Sequence, residues 1–263
     1  KILVLTASPN PSESEGLESS FKLDDYLSLA KDVFKNLNPA TDIYFSQGPM
    51  DVLDHSCSKL GFGGKMCIDG TFKFGEETDE SFKFICPEFS FKTSASLKVK
   101  FPEIIKINFS LPEKGIPAVL ISVRKNKRNH IKELHEAIMN EKETEGIKMI
   151  LYVEHTVDAN DLTVALWRFC NNLDPRRDHF ITKKVCSNDA SKYYACMGFD
   201  GTTKTKEFDD FYRDWPNIIV ADETTIKSVD KKWNTLGLGE FIPSPSLKFK
   251  DQMYGEEAVA SAY

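Results

Sequence analysis

The tightest constraint on this chain is a pattern that it contains twice. One copy reads Asp25-Tyr-Leu-Ser-Leu-Ala-Lys-Asp-Val-Phe-Lys-Asn-Leu-Asn-Pro-Ala-Thr-Asp42 and leads to Met66-Cys-Ile-Asp-Gly-Thr-Phe-Lys73. The other reads Asp161-Leu-Thr-Val-Ala-Leu-Trp-Arg-Phe-Cys-Asn-Asn-Leu-Asp-Pro-Arg-Arg-Asp178 and leads to Met197-Gly-Phe-Asp-Gly-Thr-Thr-Lys204. Met, Asp, Gly, Thr and Lys keep register in the octapeptides, and Asn-Leu-x-Pro-x-x-Asp keeps register in the longer stretches. Self-similarity of this kind sets the architecture before any element is assigned. Each copy also opens with an apolar run, Ile2-Leu-Val-Leu5 and Ile150-Leu-Tyr-Val153. Matching these runs gives an offset of 148, against 136 at Asn-Leu-x-Pro and 131 at Met-x-x-Asp-Gly-Thr, so elements match while loops differ. The expected class is α/β, with two related three-layer-like α/β subdomains, mixed sheets and a tandem repeat. The boundaries predicted are 1–97 for a first, partial repeat, 98–241 for a second, and 242–263 for a C-terminal tail.

Within a copy the order is strand, helix, strand. Asp24 and Asp25 offer acceptors to a helix N-terminus, and Tyr26, Ala30, Val33 and Leu37 recur at helical spacing as one apolar face. Pro39 ends that helix, and Asp42-Ile-Tyr-Phe45 follows as a strand, the helix crossing over a parallel pair. In the second copy the expected inward residues are Leu162, Ala165, Leu166, Phe169 and Leu173, before a strand at His179–Val185. Between the copies, Ser81–Cys86 alternates as a strand does, and two further strands at 101–109 and 117–123 meet through Pro112-Glu-Lys-Gly115. Asn129 is placed to cap a helix with Ile131, Leu134 and Ile138 inward. A strand at 217–221 and a helix at 223–236 precede the tail, which has too few apolar residues for a core of its own.

Composition narrows the function classes. The formal charge of −6 provides no basic field for nucleic acid or an anionic membrane, and the apolar runs fall far short of the ~20 residues of a bilayer span. No transmembrane segment and no nucleic-acid partner are expected. The chain enters an apolar run directly from Lys1, so its start reads as a cut and no secretory signal is expected. Six cysteines without a Cys-x-x-Cys pair read as reduced thiols of a cytoplasmic protein.

The candidate chemical motifs weigh toward structure. Gly61-Phe-Gly-Gly-Lys65 lacks phosphate-loop spacing and reads as a flexible turn. Asp69-Gly-Thr71 and Asp200-Gly-Thr202 could pair two carboxylates, but a duplicated Asp-Gly-Thr is more simply a turn in which Asp bonds its own backbone. Arg176 and Arg177 could hold an anion, with Asp174 and Asp178 as the competing partners. The five histidines show no ligand spacing. These readings yield no catalytic, cofactor-binding or metal-ligating residue.

The motifs Lys100-Phe-Pro-Glu-Ile-Ile-Lys-Ile-Asn-Phe-Ser-Leu-Pro112, Val157-Asp-Ala-Asn-Asp161, Leu166-Trp-Arg-Phe169, Asp174-Pro-Arg-Arg-Asp178 and Met197-Gly-Phe-Asp-Gly-Thr-Thr-Lys204 resemble the C-terminal region of the UbiD family of decarboxylases, the 3-octaprenyl-4-hydroxybenzoate carboxy-lyases. The first copy resembles the extended members, including the menaquinone-biosynthesis decarboxylases, at Ile43-Tyr-Phe-Ser-Gln-Gly-Pro-Met-Asp-Val-Leu-Asp54 and Lys65-Met-Cys-Ile-Asp-Gly-Thr71. The resemblance implies a non-oxidative carboxy-lyase acting on an aromatic or unsaturated acid, such as a quinone precursor. It implies prenylated FMN with a divalent metal (Mn) and potassium in the full-length parent. The family's cofactor and catalytic residues belong to an upstream domain whose Glu-x-x-x-Glu-Gly-Pro-type segment is not matched here, so none is carried over. The implied role is a C-terminal part, not catalytic alone and without a cofactor of its own. It closes on the upstream cofactor domain and supports a homo-oligomer in the cytoplasm. Met197, Phe199 and Asp200 are expected at a substrate wall. The alternative is a free-standing, non-enzymatic binding or assembly module sharing the fold.

Overall fold

The computed structural model describes residues 1–6, 24–73, 83–84, 94–141, 144–186, 189–253 and 259–260. They form two compact units, 1–213 and 214–263. The strand expected at Ser81–Cys86 and the end of the tail lie partly outside the described residues.

In the first unit, β1 (Ile2–Thr6), α1 (Tyr26–Asn36), β2 (Ile43–Pro49) and β3 (Phe62–Gly70) make one copy of the repeat. β4 (Lys83–Phe84), α2 (Ser94–Lys100), β5 (Ile104–Asn108), α3 (Ser110–Glu113), β6 (Ala118–Val123) and α4 (His130–Ile138) follow. The second copy is β7 (Met149–Glu154), α5 (Leu162–Asn172), β8 (His179–Cys186) and β9 (Asp189–Asp200), followed by α6 (Lys206–Asp209). The second unit holds β10 (Val220–Ala221), α7 (Glu223–Lys232), two 3-10 segments at 233–235 and 245–252, and β11 (Val259–Ala260), parallel to β10. The tail thus contributes a strand to this unit.

The two copies share one topology. β1 runs parallel to β3 with β2 antiparallel on its far side, and β7 runs parallel to β9 with β8 antiparallel on its far side. The helix therefore leads from β1 past the place of β3 to β2, which is not the neighbour of β1, and the parallel pair expected from β1 and Asp42–Phe45 is corrected. β3 lies between β1 and β2. Ile43 faces Ile68 as His179 faces Phe199, which preserves the offsets of 136 and 131. At the first strand the register differs from the expectation. Ile2 faces Met66 and Met149 faces Met197, so the true offset is 147. A slip of one residue exchanges the two faces of a strand, so only the ladder could fix this.

Both helices are capped alike. Asp25 accepts from the Ser28 amide at 3.1 Å, and Asp161 from the Val164 amide at 3.1 Å. At the other end the amides of Leu37 and Leu173 bond Val33 and Phe169. Packing is through the C-terminal halves, so Val33, Leu37, Phe169 and Leu173 are buried while Tyr26 and Leu166, expected inward, are exposed. The glycine of each Asp-Gly-Thr lies under its helix. A Cβ on Gly70 would stand 2.8 Å from the Val33 Cα, and one on Gly201 would stand 2.9 Å from the Tyr152 carbonyl and 3.2 Å from the Phe169 Cα. The glycine-rich run is also corrected. From Phe62 it is strand, and the Gly64 amide donates to Asp174 at 3.2 Å, where a side chain would collide with that carboxylate. Asn129 precedes α4 in left-handed backbone, φ 58°, and makes no side-chain cap.

One core draws on both copies, with Val33, Leu37, Met66 and Ile68 joined to Met149, Leu151, Phe169, Met197 and Phe199. A second core lies on the other side of the larger sheet, β4-β9-β7-β6-β5 with β8 on β9. There α4 sets Ile131, Leu134 and Ile138 against Ile150, Tyr152 and Cys196. The five described free cysteines agree with reduced thiols.

Lysines join the copies reciprocally. Lys148, just before β7, is buried and donates to the carbonyls of Phe34 (2.5 Å) and Leu37 (2.8 Å) at the end of α1. Lys1, its counterpart, reaches the Asn171 carbonyl at 3.5 Å near the end of α5, and Ser56 at 2.8 Å. A cation beside unpaired helix-end carbonyls is favourable, and leaving such groups unpaired in a buried site costs about 1–3 kcal/mol. Lys148→Met should therefore lower unfolding free energy by roughly that amount, measured in urea. Gly201→Ala should lower it by about 1–3 kcal/mol through overpacking.

Candidate functional site

A polar cleft of about 720 Å³ opens at the carboxyl end of β6 and β9. In open α/β sheets this end is where side chains from successive connections converge on a ligand. β6 is buried throughout and delivers Lys125 to the rim, where its ammonium bonds the Thr203 carbonyl at 2.7 Å and both Asp209 oxygens at 2.9 and 2.8 Å. Burial lowers the Lys125 pKa, with Asp200 and Asp209 opposing. Arg128 pairs with Asp210 at the outer rim. At the start of α4, the Asn126 amide donates to His130 Nδ1 at 3.2 Å, leaving Nε2 to face Glu103 at 3.3 Å.

The floor holds a polar cluster that the repeat duplicates. Asp200 accepts from the Thr202 amide at 2.9 Å and its hydroxyl at 2.5 Å, as Asp69 accepts from Thr71 at 2.9 and 2.6 Å. Lys204 pairs with Asp200 at 3.3 Å and Asp178 at 3.8 Å, and Lys73 pairs with Asp69 at 2.9 Å and Asp42 at 3.9 Å. Asp178 accepts from the Asp174 amide and Asp42 from the Asn38 amide, each at 2.8 Å. The Asp-Gly-Thr turn expected from the sequence is thus made in both copies, with each Asp bonded within its own turn.

What the second copy adds is Arg177. Its guanidinium forks onto both Asp178 oxygens at 2.7 Å, reaches the Ser56 carbonyl at 2.8 Å, and lies 5.4 Å from the Phe211 ring centroid. Burial, reinforced by Asp200, raises the Asp178 carboxyl, although Lys204 and Arg177 oppose it. Burial also acts to raise Asp200, but Lys204, Lys125 and the Thr202 hydrogen bonds outweigh it and hold that carboxyl low. The surroundings thus act on these two neighbouring carboxyls in opposite directions.

Behind the cleft wall, His135 is fully buried on α4, with Nδ1 3.0 Å from the Tyr152 hydroxyl and its ring edge-on to Phe180 at 4.9 Å. Gly198 makes room for it, since a Cβ there would stand 2.7 Å from His135 Nδ1.

Of the residues expected at a substrate wall, Asp200 lines the cleft. Met197 and Phe199 are in the shared core, 3% and 0% exposed, and hold the strand that presents Asp200. Lys125, Arg128 and His130 carried no weight in the sequence reading. Their signal was position, a basic run directly following the apolar strand that ends at Val123.

Among the described residues no three His, Cys, Asp or Glu side chains converge as a metal site requires. Of the cations lining the cleft, Lys125, Arg128 and Arg177 are each matched by a carboxylate. No helix among them is long and apolar enough to cross a membrane.

Residues 18–70 and 90–204 match the family model described as the 3-octaprenyl-4-hydroxybenzoate carboxy-lyase C-terminal domain, UbiD_C. The chain belongs to that family. It is 27% identical over 216 residues to an uncharacterized protein of Helicobacter pylori (strain ATCC 700392 / 26695), covering 82% of this chain and 32% of that protein. It is 24% identical over 151 residues to one of Aeropyrum pernix, covering 54% and 30%. The chain therefore spans about a third of the length of the curated relatives it matches. Among solved structures, vanillic acid decarboxylase of Sedimentibacter hydroxybenzoicus in its closed form is 13% identical, with a TM-score of 0.40, over 68% of this chain and 38% of that one. The UbiD-class enzyme HmfF of Pelotomaculum thermopropionicum, in an evolved dimeric form in complex with prFMN, is 18% identical, with a TM-score of 0.34, over 46% and 25%.

Burial pushes the His135 imidazole down to about 4, against a weaker opposing contact with the Cys196 backbone. A group depressed on folding stabilises the fold above its unfolded pKa and loses that contribution as pH falls toward the folded value. Stability should therefore drop on the order of 3 kcal/mol between pH 6.5 and 4. Urea titrations across that window should show His135→Leu lacking this part of the drop.

Proposed function

We propose that this chain is the C-terminal part of a UbiD-family carboxy-lyase that removes CO2 non-oxidatively from an aromatic or unsaturated acid, such as a quinone precursor. The observation that carries the proposal is the match of the family's C-terminal domain in both copies, in a chain spanning about a third of its relatives. The chemistry belongs to an upstream domain of the same polypeptide, carrying prenylated FMN with manganese and potassium. That cofactor supplies the electron sink for the carbanion left by CO2.

In this reading the present residues close over the upstream domain and support a homo-oligomer in the cytoplasm. The cleft at the carboxyl end of β6 and β9 is the surface offered to it. Asp200 stands at the substrate wall, and Met197 and Phe199 fix its strand from behind. The pairs Lys125–Asp209 and Arg128–Asp210 suit this task, since each presents charge that is already matched before the surfaces meet.

The full-length protein, loaded with prenylated FMN and manganese, should show a bound-flavin absorbance and release CO2 from at least one aromatic acid. Residues 1–263 alone should do neither. A full-length protein without flavin and without turnover would favour a non-enzymatic assembly module.

A further inference from the structure

The two copies occupy equivalent ladders yet have opposite surroundings at their first strand. β7 is buried at every residue, with β6 along its free edge and α4 over its outer face. Among the described residues nothing pairs with the free edge of β1, which ends its sheet. Leu3, Val4 and Leu5 are 56%, 49% and 41% exposed. The offset of 147 matches them to Ile150, Leu151 and Tyr152, all buried. On the same outer face, exposed Tyr44 matches Phe180, and Cys67 matches Gly198, both beneath α4 in the second copy. A parallel strand is ordinarily covered on both faces, and an open apolar edge is a template for another strand.

The family match has the same asymmetry. It covers 90–204 in the second copy, including β5, β6 and α4, but only 18–70 in the first. The front half of a family unit is therefore unaccounted for beside β1.

We propose that the free edge and outer face of β1 form the docking site for a strand and amphipathic helix equivalent to β6 and α4. They are contributed by the polypeptide that precedes Lys1 in the whole protein. The strand pairs in parallel with β1, and the helix covers Leu3, Leu5, Tyr44 and Cys67. This rests on reading the chain as part of a longer polypeptide, and the chain's share of its relatives leaves ample length for such a segment. It adds the first copy's missing half to the first unit and requires no upstream catalytic chemistry.

The test uses thiol labelling of the native full-length protein, read peptide by peptide, with Leu5→Cys on the proposed site and Leu53→Cys on an exposed loop as control. Leu5→Cys should label at least about tenfold more slowly than Leu53→Cys in the native state, and equally fast after denaturation. The wild-type Cys67 should be protected likewise, which covers the case in which the substitution impairs folding. Equal native rates would overturn the proposal while leaving the carboxy-lyase reading intact. Protection that vanishes on dilution to monomer would also overturn it, in favour of a second copy of the chain. Protection in a full-length protein that shows neither flavin nor CO2 release would uphold the docking site and reject the enzyme reading.

Discussion

Lys148 leaves the start of β7 and places its ammonium beneath the last carbonyls of α1, a helix of the other copy. Those carbonyls have no partner within their own helix, and the Lys148 ammonium satisfies them in a buried place. Lys1 makes the reciprocal reach toward α5. Around this exchange the rest of the first unit is arranged. The apolar faces of α1 and α5 share one core, and Gly64 lies so close to Asp174 that no side chain fits between them. That contact in turn fixes the Asp174–Asp178 turn from which Arg177 and the floor of the cleft depend.

Much of this was legible before any coordinates. The duplicated Asn-Leu-x-Pro-x-x-Asp and Met-x-x-Asp-Gly-Thr specified two equivalent units, and the capping aspartates Asp25 and Asp161 marked both helix starts. What was illegible was of two kinds. The pairing of β1 with β3 is a long-range choice, and nothing in the apolar run Ile2–Leu5 distinguishes β2 from β3 as its parallel neighbour. The one-residue difference in offset has a related origin, because the two runs stay apolar in either register and the identities Ile2/Ile150 and Leu3/Leu151 favour the one that the ladder does not adopt. Tyr26 and Leu166 have the right helical spacing but sit outside the reach of the shared core.

The candidate site was less legible than the fold for a physical reason. Its charged groups come from four separate stretches, near 125–136, 177–181, 200 and 208–210, that only the sheet brings together. Duplication supplied the missing discrimination. Asp200, Thr202 and Lys204 repeat as Asp69, Thr71 and Lys73 and therefore speak for the fold, whereas Arg177 replaces Thr41 and Lys125 has no counterpart within the described first copy.

The exchange of lysines also bears on how this unit is inherited as a piece. Each copy sends a lysine to the end of the other's helix, so the two helix ends are finished across the repeat and not within it. A gene fusion that carried only one copy would deliver a helix with bare carbonyls at its buried end. A change at either lysine is therefore felt at a helix end of the copy that does not contain it.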